Sequence, residues 1–139
     1  MTISENLLKA YEATDYIVNG AQSIKLNVNR YSEELHMLHK HHGVSCSAFL
    51  SAYNPFSVST SEELNRSYQE ELASDLASLS LDFIDGYGQC SDTSVDWKEA
   101  SFLVMGLDLE NGRKLAVKFK QNAFVWSDSS CIPTLILCV

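Results

Sequence analysis

The sequence predicts an α+β domain in which a mixed, mainly antiparallel sheet is covered by three to four helices. Helical and strand-like hydrophobic periodicities follow one another in the order α-β-β-α-β-α-β-β-α-β-β. The chain holds only two prolines, and its polar interruptions have the length of loops rather than of linkers. We therefore expect a single domain over residues 1–139.

The first quarter of the chain predicts a helix, a β-hairpin and a second helix. The helix is expected over residues 4–14, where apolar residues recur at helical spacing behind a serine cap. The dipeptide Asn19-Gly20 favours a turn between two strands, because both residues tolerate a positive φ. Residues 32–43 predict the second helix, with Ser32 as its N-cap and Gly43 as its C-terminal cap.

The middle of the chain predicts a central strand and a long helix. Residues 46–53 are mostly apolar, and the strand must end at Asn54-Pro55 because proline cannot donate to a sheet. Either Ser59 or Thr60 has the capping-box spacing to a later glutamate that begins a helix. One apolar stripe of this helix is expected from Leu64, Tyr68, Leu72, Leu76 and Leu79.

The last third predicts two strands, a helix and two final strands. Residues 82–87 and 100–107 read as antiparallel neighbours joined by a polar loop. The helix is expected to follow Asn111-Gly112, and strands are expected over residues 124–126 and 135–139.

Composition excludes several classes of function. A net charge of −8 opposes the phosphate neutralisation that duplex nucleic acid requires. The chain has no apolar run of membrane-spanning length and no basic flank of a signal peptide, so we expect a soluble, cytoplasmic protein without a membrane segment. The sequence lacks a Gly-rich phosphate loop and a dinucleotide fingerprint, and we expect no cofactor.

The histidines and cysteines do not predict a metal site. His36, His39, His41 and His42 fall in one short helix, where four ligands cannot converge on one ion. The four cysteines contain no Cys-x-x-Cys pair, and we expect neither metal ligation nor disulfides from them.

Polar residues around the start of the long helix form the first part of a candidate ligand site. Asn54 and Ser57 precede the helix, and Asn65 and Arg66 lie in its early turns. Free backbone amides at a helix N-terminus attract anions, and Arg66 would add a bidentate clamp for phosphate or carboxylate. The structural alternative is an Asx turn at Asn54, serine caps and an exposed arginine.

Glu99 is the best candidate for a general acid or base. A carboxylate beside the indole of Trp97 would have its pKa raised towards neutrality. Ser101 follows two residues later, so both side chains are expected on one face of the sheet. In the alternative, Glu99 only pairs with Arg66 or accepts backbone amides.

Gln121 and Asn122 close the last helix and complete the candidate site. Side-chain amides donate and accept hydrogen bonds, which suits recognition of a base, a sugar or a peptide edge. The alternative is a helix C-cap with Asn122 in the left-handed conformation.

Several motifs carry a resemblance to a known family: Asn54-Pro55 with Ser57, Asn65, Gly86-Tyr87-Gly88, residues 97–102 and residues 121–126. With these motifs the chain resembles the bacterial domain of unknown function 3293 over nearly its whole length. Leu64 and Ala100 depart from the pattern, which has an acid and a proline at these positions. The resemblance implies no activity.

Together these features predict a protein that binds a small polar or phosphorylated ligand in one amide-rich cleft. The expected lining is Asn54, Ser57, Asn65, Arg66, Glu99, Ser101, Gln121 and Asn122. One alternative is a small hydrolase or transferase with Glu99 as acid or base and Arg66 as anion clamp. Another is a protein-interaction or inhibitor module that uses its acidic surface with Tyr53 and Phe56.

Overall fold

The computed structural model of the protein describes residues 4–90 and 98–138. The helices are α1 (Glu5–Glu12), α2 (Glu33–His42), α3 (Glu62–Ser78) and α4 (Leu109–Lys118), and a 3₁₀ turn covers Pro55–Ser57. The strands are β1 (Thr14–Asn19), β2 (Ser23–Leu26), β3 (Ser47–Leu50), β4 (Phe83–Cys90), β5 (Lys98–Met105), β6 (Ala123–Ser127) and β7 (Thr134–Leu137). Apart from the short 3₁₀ turn, this is the predicted order of elements.

The described strands form one seven-stranded sheet in the order β2-β1-β4-β5-β3-β6-β7. All of the described pairings are antiparallel, so the sheet is not mixed. The predicted α+β class is confirmed, as is the antiparallel pairing of β4 with β5.

The sheet buries both of its faces, because side chains alternate along each strand. The even-numbered residues of β5, such as Phe102 and Val104, pack in a core with α3 and α4. Leu103 and Met105 pack in a second core with α2. α1 is different, because none of its side chains is buried.

Both predicted ends of α2 are present. The Ser32 hydroxyl accepts the Leu35 amide, and Gly43 ends the helix in the left-handed conformation with φ 64°. Ser4 likewise caps α1 by accepting the Leu7 amide. Local caps of this kind depend on residues three or four positions apart, which explains why the sequence indicates them clearly.

The hairpin between β1 and β2 is also present, but its turn differs from the prediction. Asn19 pairs with Ser23, so residues 20–22 form a three-residue loop. Neither Asn19 nor Gly20 has a positive φ. The two positive φ values that favour Asn-Gly belong to a two-residue type I′ turn, which this three-residue loop does not contain.

Two predictions about α3 are wrong, one for its N-cap and one for its buried face. Ser61, not Ser59 or Thr60, accepts the Leu64 amide and begins the helix. Leu64 and Leu79 are 50% and 51% exposed. The buried positions of α3 are Asn65, Gln69, Leu72 and Leu76. The first two are polar because this part of the helix faces the loop after β3, where buried backbone groups need partners.

α4 begins earlier than predicted. Asp108 is its N-cap and accepts the Asn111 amide, so Asn111-Gly112 lies inside the first turns. Gly112 is needed there because a Cβ atom would lie 2.9 Å from the ring of Phe124.

β3 ends at Leu50, before Asn54. Trp97 and Val139, which also belong to predicted features, lie outside the described residues. No helix within residues 4–90 and 98–138 is long and apolar enough to cross a membrane.

Candidate functional site

A cavity of about 410 Å³ opens between α1 and the face of the sheet that carries Glu99. Its apolar wall includes Leu7, Ala10, Phe49, Phe124, Val125 and Leu135. Its polar wall includes Ser51, Asn54, Ser57, Glu99, Ser101 and Gln121. We call this cavity the cleft.

A glycine of β4 helps to create the space. Across the sheet, Tyr16 of β1 pairs with Gly88, and Gly88 pairs with Glu99 of β5. Gly88 lines the cleft and has no side chain, so the floor of the cleft is open between Tyr16 and Glu99. Gly86, opposite Ser101 in the next row, does not line the cleft, because the Phe49 ring packs against it.

α1 covers the cleft without packing tightly on the sheet. Leu7, Ala10 and Tyr11 line the cleft, although no side chain of α1 is buried. The Tyr16 hydroxyl donates to the Tyr11 carbonyl at 2.9 Å, and the Thr14 hydroxyl donates to the Ala10 carbonyl at 2.7 Å. The Tyr11 hydroxyl lies 2.7 Å from the Ser57 Oγ. The apolar side of this amphipathic helix therefore faces a cavity instead of a filled core.

Glu99 is half-buried at the start of β5 and has an unusual electrostatic environment. Burial raises the pKa of its carboxyl to about 7, while a hydrogen bond from Asn54 acts in the opposite direction. This bond, from Asn54 Nδ2 to Glu99 Oε2, is 3.3 Å long. Among the described residues no ion pair joins Glu99 to Arg66, so the predicted alternative in which Glu99 pairs with Arg66 is wrong.

Asn54 and Asn65 form a reciprocal pair beside Glu99. The backbone amide of Asn54 donates to Asn65 Oδ1 at 2.8 Å, and Asn65 Nδ2 donates to Asn54 Oδ1 at 2.8 Å. Asn65 Nδ2 also donates to the Thr60 carbonyl at 3.2 Å, and the Thr60 amide donates to Asn54 Oδ1 at 3.1 Å. The buried Asn65 thus fixes the orientation of Asn54, which leaves Asn54 Nδ2 for Glu99.

The loop that carries Asn54 has an uncommon backbone conformation. Asn54, Phe56 and Ser57 have φ values of 47°, 56° and 61°. Such angles are unfavourable for residues other than glycine and persist where surrounding contacts hold them. The Phe56 amide donates to the Lys120 carbonyl at 2.6 Å, which ties the loop to the end of α4.

Gln121 and Asn122 hold the same loop from the other side. Gln121 Nε2 donates to the carbonyls of Tyr53 and Phe119 at 3.0 and 3.2 Å. Asn122 Nδ2 donates to Ser57 Oγ at 3.0 Å. Asn122 is not a left-handed cap, because Lys120 has the positive φ at this end of α4.

The eight candidate residues separate into three groups. Asn54, Ser57, Glu99, Ser101 and Gln121 line the cleft. Asn65 and Asn122 lie behind the wall and position it. Arg66 is exposed and does not line the cleft; it follows the buried Asn65 by one helix position, about 100° around the axis.

Sequence reasoning missed part of the wall. Ser51 lines the cleft, and its hydroxyl donates to the Ala100 carbonyl at 2.7 Å. The alternation from Phe49 to Ser51 along the end of β3 was the available signal. Tyr11 and Tyr16 had no comparable signal, because their places in the wall depend on how α1 lies on the sheet and on how β1, β4 and β5 pair.

The described residues do not form a metal site. No group of three or more histidine, cysteine, aspartate or glutamate side chains among them is close enough to hold an ion. Within the described wall Glu99 is the only carboxyl group, and lysine and arginine are absent. The cleft therefore presents one titratable acid among apolar and hydrogen-bonding groups.

A family model described as Protein of unknown function (DUF3293) matches residues 50–124, which is more than half of the 139-residue chain. The chain belongs to the DUF3293 family. The predicted family is therefore confirmed, but the match covers residues 50–124 and not nearly the whole chain. It includes every candidate residue from Asn54 to Asn122 but neither α1 nor β1. No curated protein matches the chain. No solved structure matches it either.

Proposed function

We propose that the protein binds a small organic ligand with an apolar body and a polar head in the cleft. The observation that supports this function is the cavity of about 410 Å³ lined by both kinds of side chain. Small-molecule sites are typically cavities of roughly 300–1,000 Å³ with apolar walls and a few oriented polar groups. The ligand body would lie against residues such as Phe124 and Val125, and its head would reach Glu99.

The composition of the wall favours some polar heads over others. A phosphorylated head needs cationic partners, whereas the described wall has none and Arg66 lies outside it. A neutral or cationic head is compatible with the carboxyl of Glu99. We therefore narrow the expected ligand to a small polar, non-phosphorylated molecule.

Methyl NMR tests the proposal with three six-carbon probes: 1-hexanol, hexylamine and hexanoate. At least one probe should shift the methyl resonances of Leu7, Val125 and Leu135 in a saturable way. Ala10→Trp should abolish this effect by filling the cleft from α1, whose side chains are not buried. Glu12→Trp places the same side chain on an exposed position of α1 outside the cleft, and it should bind normally.

Two results would overturn the proposal. One is that none of the three probes shifts the cleft methyl resonances at millimolar concentration. The other is that Ala10→Trp and Glu12→Trp bind equally well, because the probe would then occupy another place.

Proton transfer by Glu99 is a second candidate function. The observation that supports this function is a carboxyl with a pKa of about 7 in the wall of a cleft. Such a pKa suits a general acid or base near neutral pH. If this function holds, p-nitrophenyl ester hydrolysis should change with pH around 7 and be lost in Glu99→Gln. Glu70→Gln, at an exposed position on α3, should retain it. Equal rates in the two variants would exclude this role.

A further inference from the structure

We infer that the head of the ligand is a protonated amine, held by the carboxylate of Glu99 at the floor of the cleft. This inference rests on the proposed function and names the class of ligand for the same site. Three independent features of the wall support it: the hydrogen-bonding capacity that is left over, the uncompensated carboxyl and the surrounding aromatic rings.

Three polar side chains of the wall have only acceptors left, whereas the Tyr11–Ser57 hydroxyl pair keeps one unused hydrogen. The Ser51 and Ser101 hydroxyls donate to the carbonyls of Ala100 and Glu99 at 2.7 and 3.1 Å. Both hydrogens of Gln121 Nε2 face protein carbonyls, which leaves its oxygen as the free side-chain atom. These groups can accept hydrogen bonds but have no remaining donor. A ligand head that donates several hydrogen bonds matches this wall.

The carboxyl of Glu99 has no cationic partner among the described residues. A carboxylate removed from water is costly unless a positive charge or several donors compensate for it. Its single described side-chain donor is Asn54 Nδ2, at 3.3 Å. An ammonium group would supply the missing charge and up to three donors at once.

Aromatic side chains surround the same space. Tyr11, Tyr16, Phe49 and Phe124 line the cleft, and the rings of Tyr16 and Phe49 meet edge to face with centroids 5.2 Å apart. Aromatic faces attract cations, and the attraction is stronger where water is excluded. The net charge of −8 also favours the approach of a cation over that of an anion.

The titratable groups that face Glu99 from other elements do not supply a competing charge. They are Tyr16 from β1, Tyr11 from α1 and Cys90 from β4, which line the cleft, and Tyr53 from the segment after β3. Burial raises the pKa values of Tyr16 and Tyr53, so both phenols stay neutral near pH 7. None of the four can form a cation.

The pH dependence of binding distinguishes the amine from other heads. The pKa of Glu99 is about 7 in the empty cleft, so an amine must displace a proton from the carboxyl at lower pH. Hexylamine affinity should therefore increase about tenfold or more between pH 5.5 and pH 8. 1-Hexanol affinity should change less than about twofold, and hexanoate should bind more weakly as the pH rises.

Calorimetric titration of the wild-type protein with the three probes at both pH values tests the inference. The inference is overturned if hexylamine binds no better than 1-hexanol at pH 8, or if its affinity falls as the pH rises. Saturable binding of 1-hexanol or hexanoate would then leave the proposed function intact. Absence of binding by all three probes would overturn both.

Two variants test whether Glu99 causes the preference for hexylamine and its pH dependence. Glu99→Gln should remove the preference for hexylamine and its pH dependence while retaining 1-hexanol binding. Glu70→Gln, on the exposed side of α3, should behave like the wild type. If Glu99→Gln retained the preference, the amine would bind elsewhere; the wild-type pH comparison decides the inference even if this variant does not fold.

Discussion

Asn65 and Arg66 show how adjacent residues of one helix can differ in role. Asn65 is buried and makes three hydrogen bonds, two to Asn54 and one to Thr60. Arg66 lies one residue later and is exposed. Consecutive helix positions differ by about 100° around the axis, so only one of the two can face the loop.

We expect Asn65→Ala to lower the free energy of unfolding by about 2–4 kcal/mol, because it leaves the Asn54 amide and the Thr60 carbonyl without their partner. Arg66→Ala should change it by less than about 0.5 kcal/mol, as is usual at exposed positions. Urea unfolding measures both. Equal effects would show that the hydrogen bonds of Asn65 do not stabilise the loop.

At the scale of the elements, β4 and β1 approach each other closely at Gly86. A Cβ atom on Gly86 would lie 2.3 Å from the Ile17 carbonyl oxygen and 3.2 Å from the Phe49 ring. The first of these atoms belongs to the backbone of the paired strand, so it cannot move without separating β1 from β4. Gly86 is therefore required by packing rather than by its backbone angles.

Gly86→Ala should destabilise the protein by roughly 2 kcal/mol or more, because the new methyl group overpacks the junction of the two strands. Gly20→Ala is the matched control, since its nearest neighbour would be the Gln22 carbonyl oxygen at an ordinary 3.6 Å. That change should lie within about 1 kcal/mol of the wild type. Thermal unfolding compares the two, and a Gly86→Ala variant as stable as Gly20→Ala would contradict the packing argument.

The elements differ in how well the sequence indicates them. α2 was predicted at both ends because Ser32 and Gly43 act on their own helix. The buried face of α3 was predicted incorrectly at its start, because Asn65 serves Asn54, eleven residues earlier in the chain. A hydrophobic pattern does not report a polar residue that is buried to satisfy a distant backbone group.

The candidate site follows the same distinction. Alternation along β5 placed Glu99 and Ser101 on one face, and both line the cleft. The contribution of α1 was not predictable, since Tyr11 reaches Ser57 across 46 residues of sequence. Arg66 was assigned to the site from proximity in the chain, whereas its direction depends on which side of α3 is buried.

At the scale of the whole molecule, stability depends on two groups that respond to pH in opposite directions. Burial lowers the pKa of His39, which bonds to Ser47 Oγ at 2.8 Å through Nε2. Protonation of His39 therefore favours unfolding, and its contribution is lost as the pH falls below about 6.5. The pKa of Glu99 is raised from 4.5 to about 7, so its protonated form favours folding and that contribution is lost as the pH rises through this window.

We expect the pH of maximum stability to move upwards in Glu99→Gln, because the variant keeps His39 but loses the destabilising ionisation of Glu99. Relative to the wild type, the variant should gain up to about 3 kcal/mol between pH 5 and pH 8, at roughly 1.4 kcal/mol per pKa unit. Urea unfolding across this range measures the difference. Stability curves that stay parallel would show that Glu99 ionises alike in the folded and unfolded chains.

The position of β3 has a consequence for how the chain is assembled during synthesis. β3 is buried along its whole length and pairs with β5 and β6, both of which are translated later. The ribosome therefore releases an apolar segment tens of residues before either neighbour exists, while the hairpins β1–β2, β4–β5 and β6–β7 can form locally. Until β5 and β6 emerge, a nascent chain must protect residues 47–50 from other chains, so chaperone demand should be concentrated in that interval.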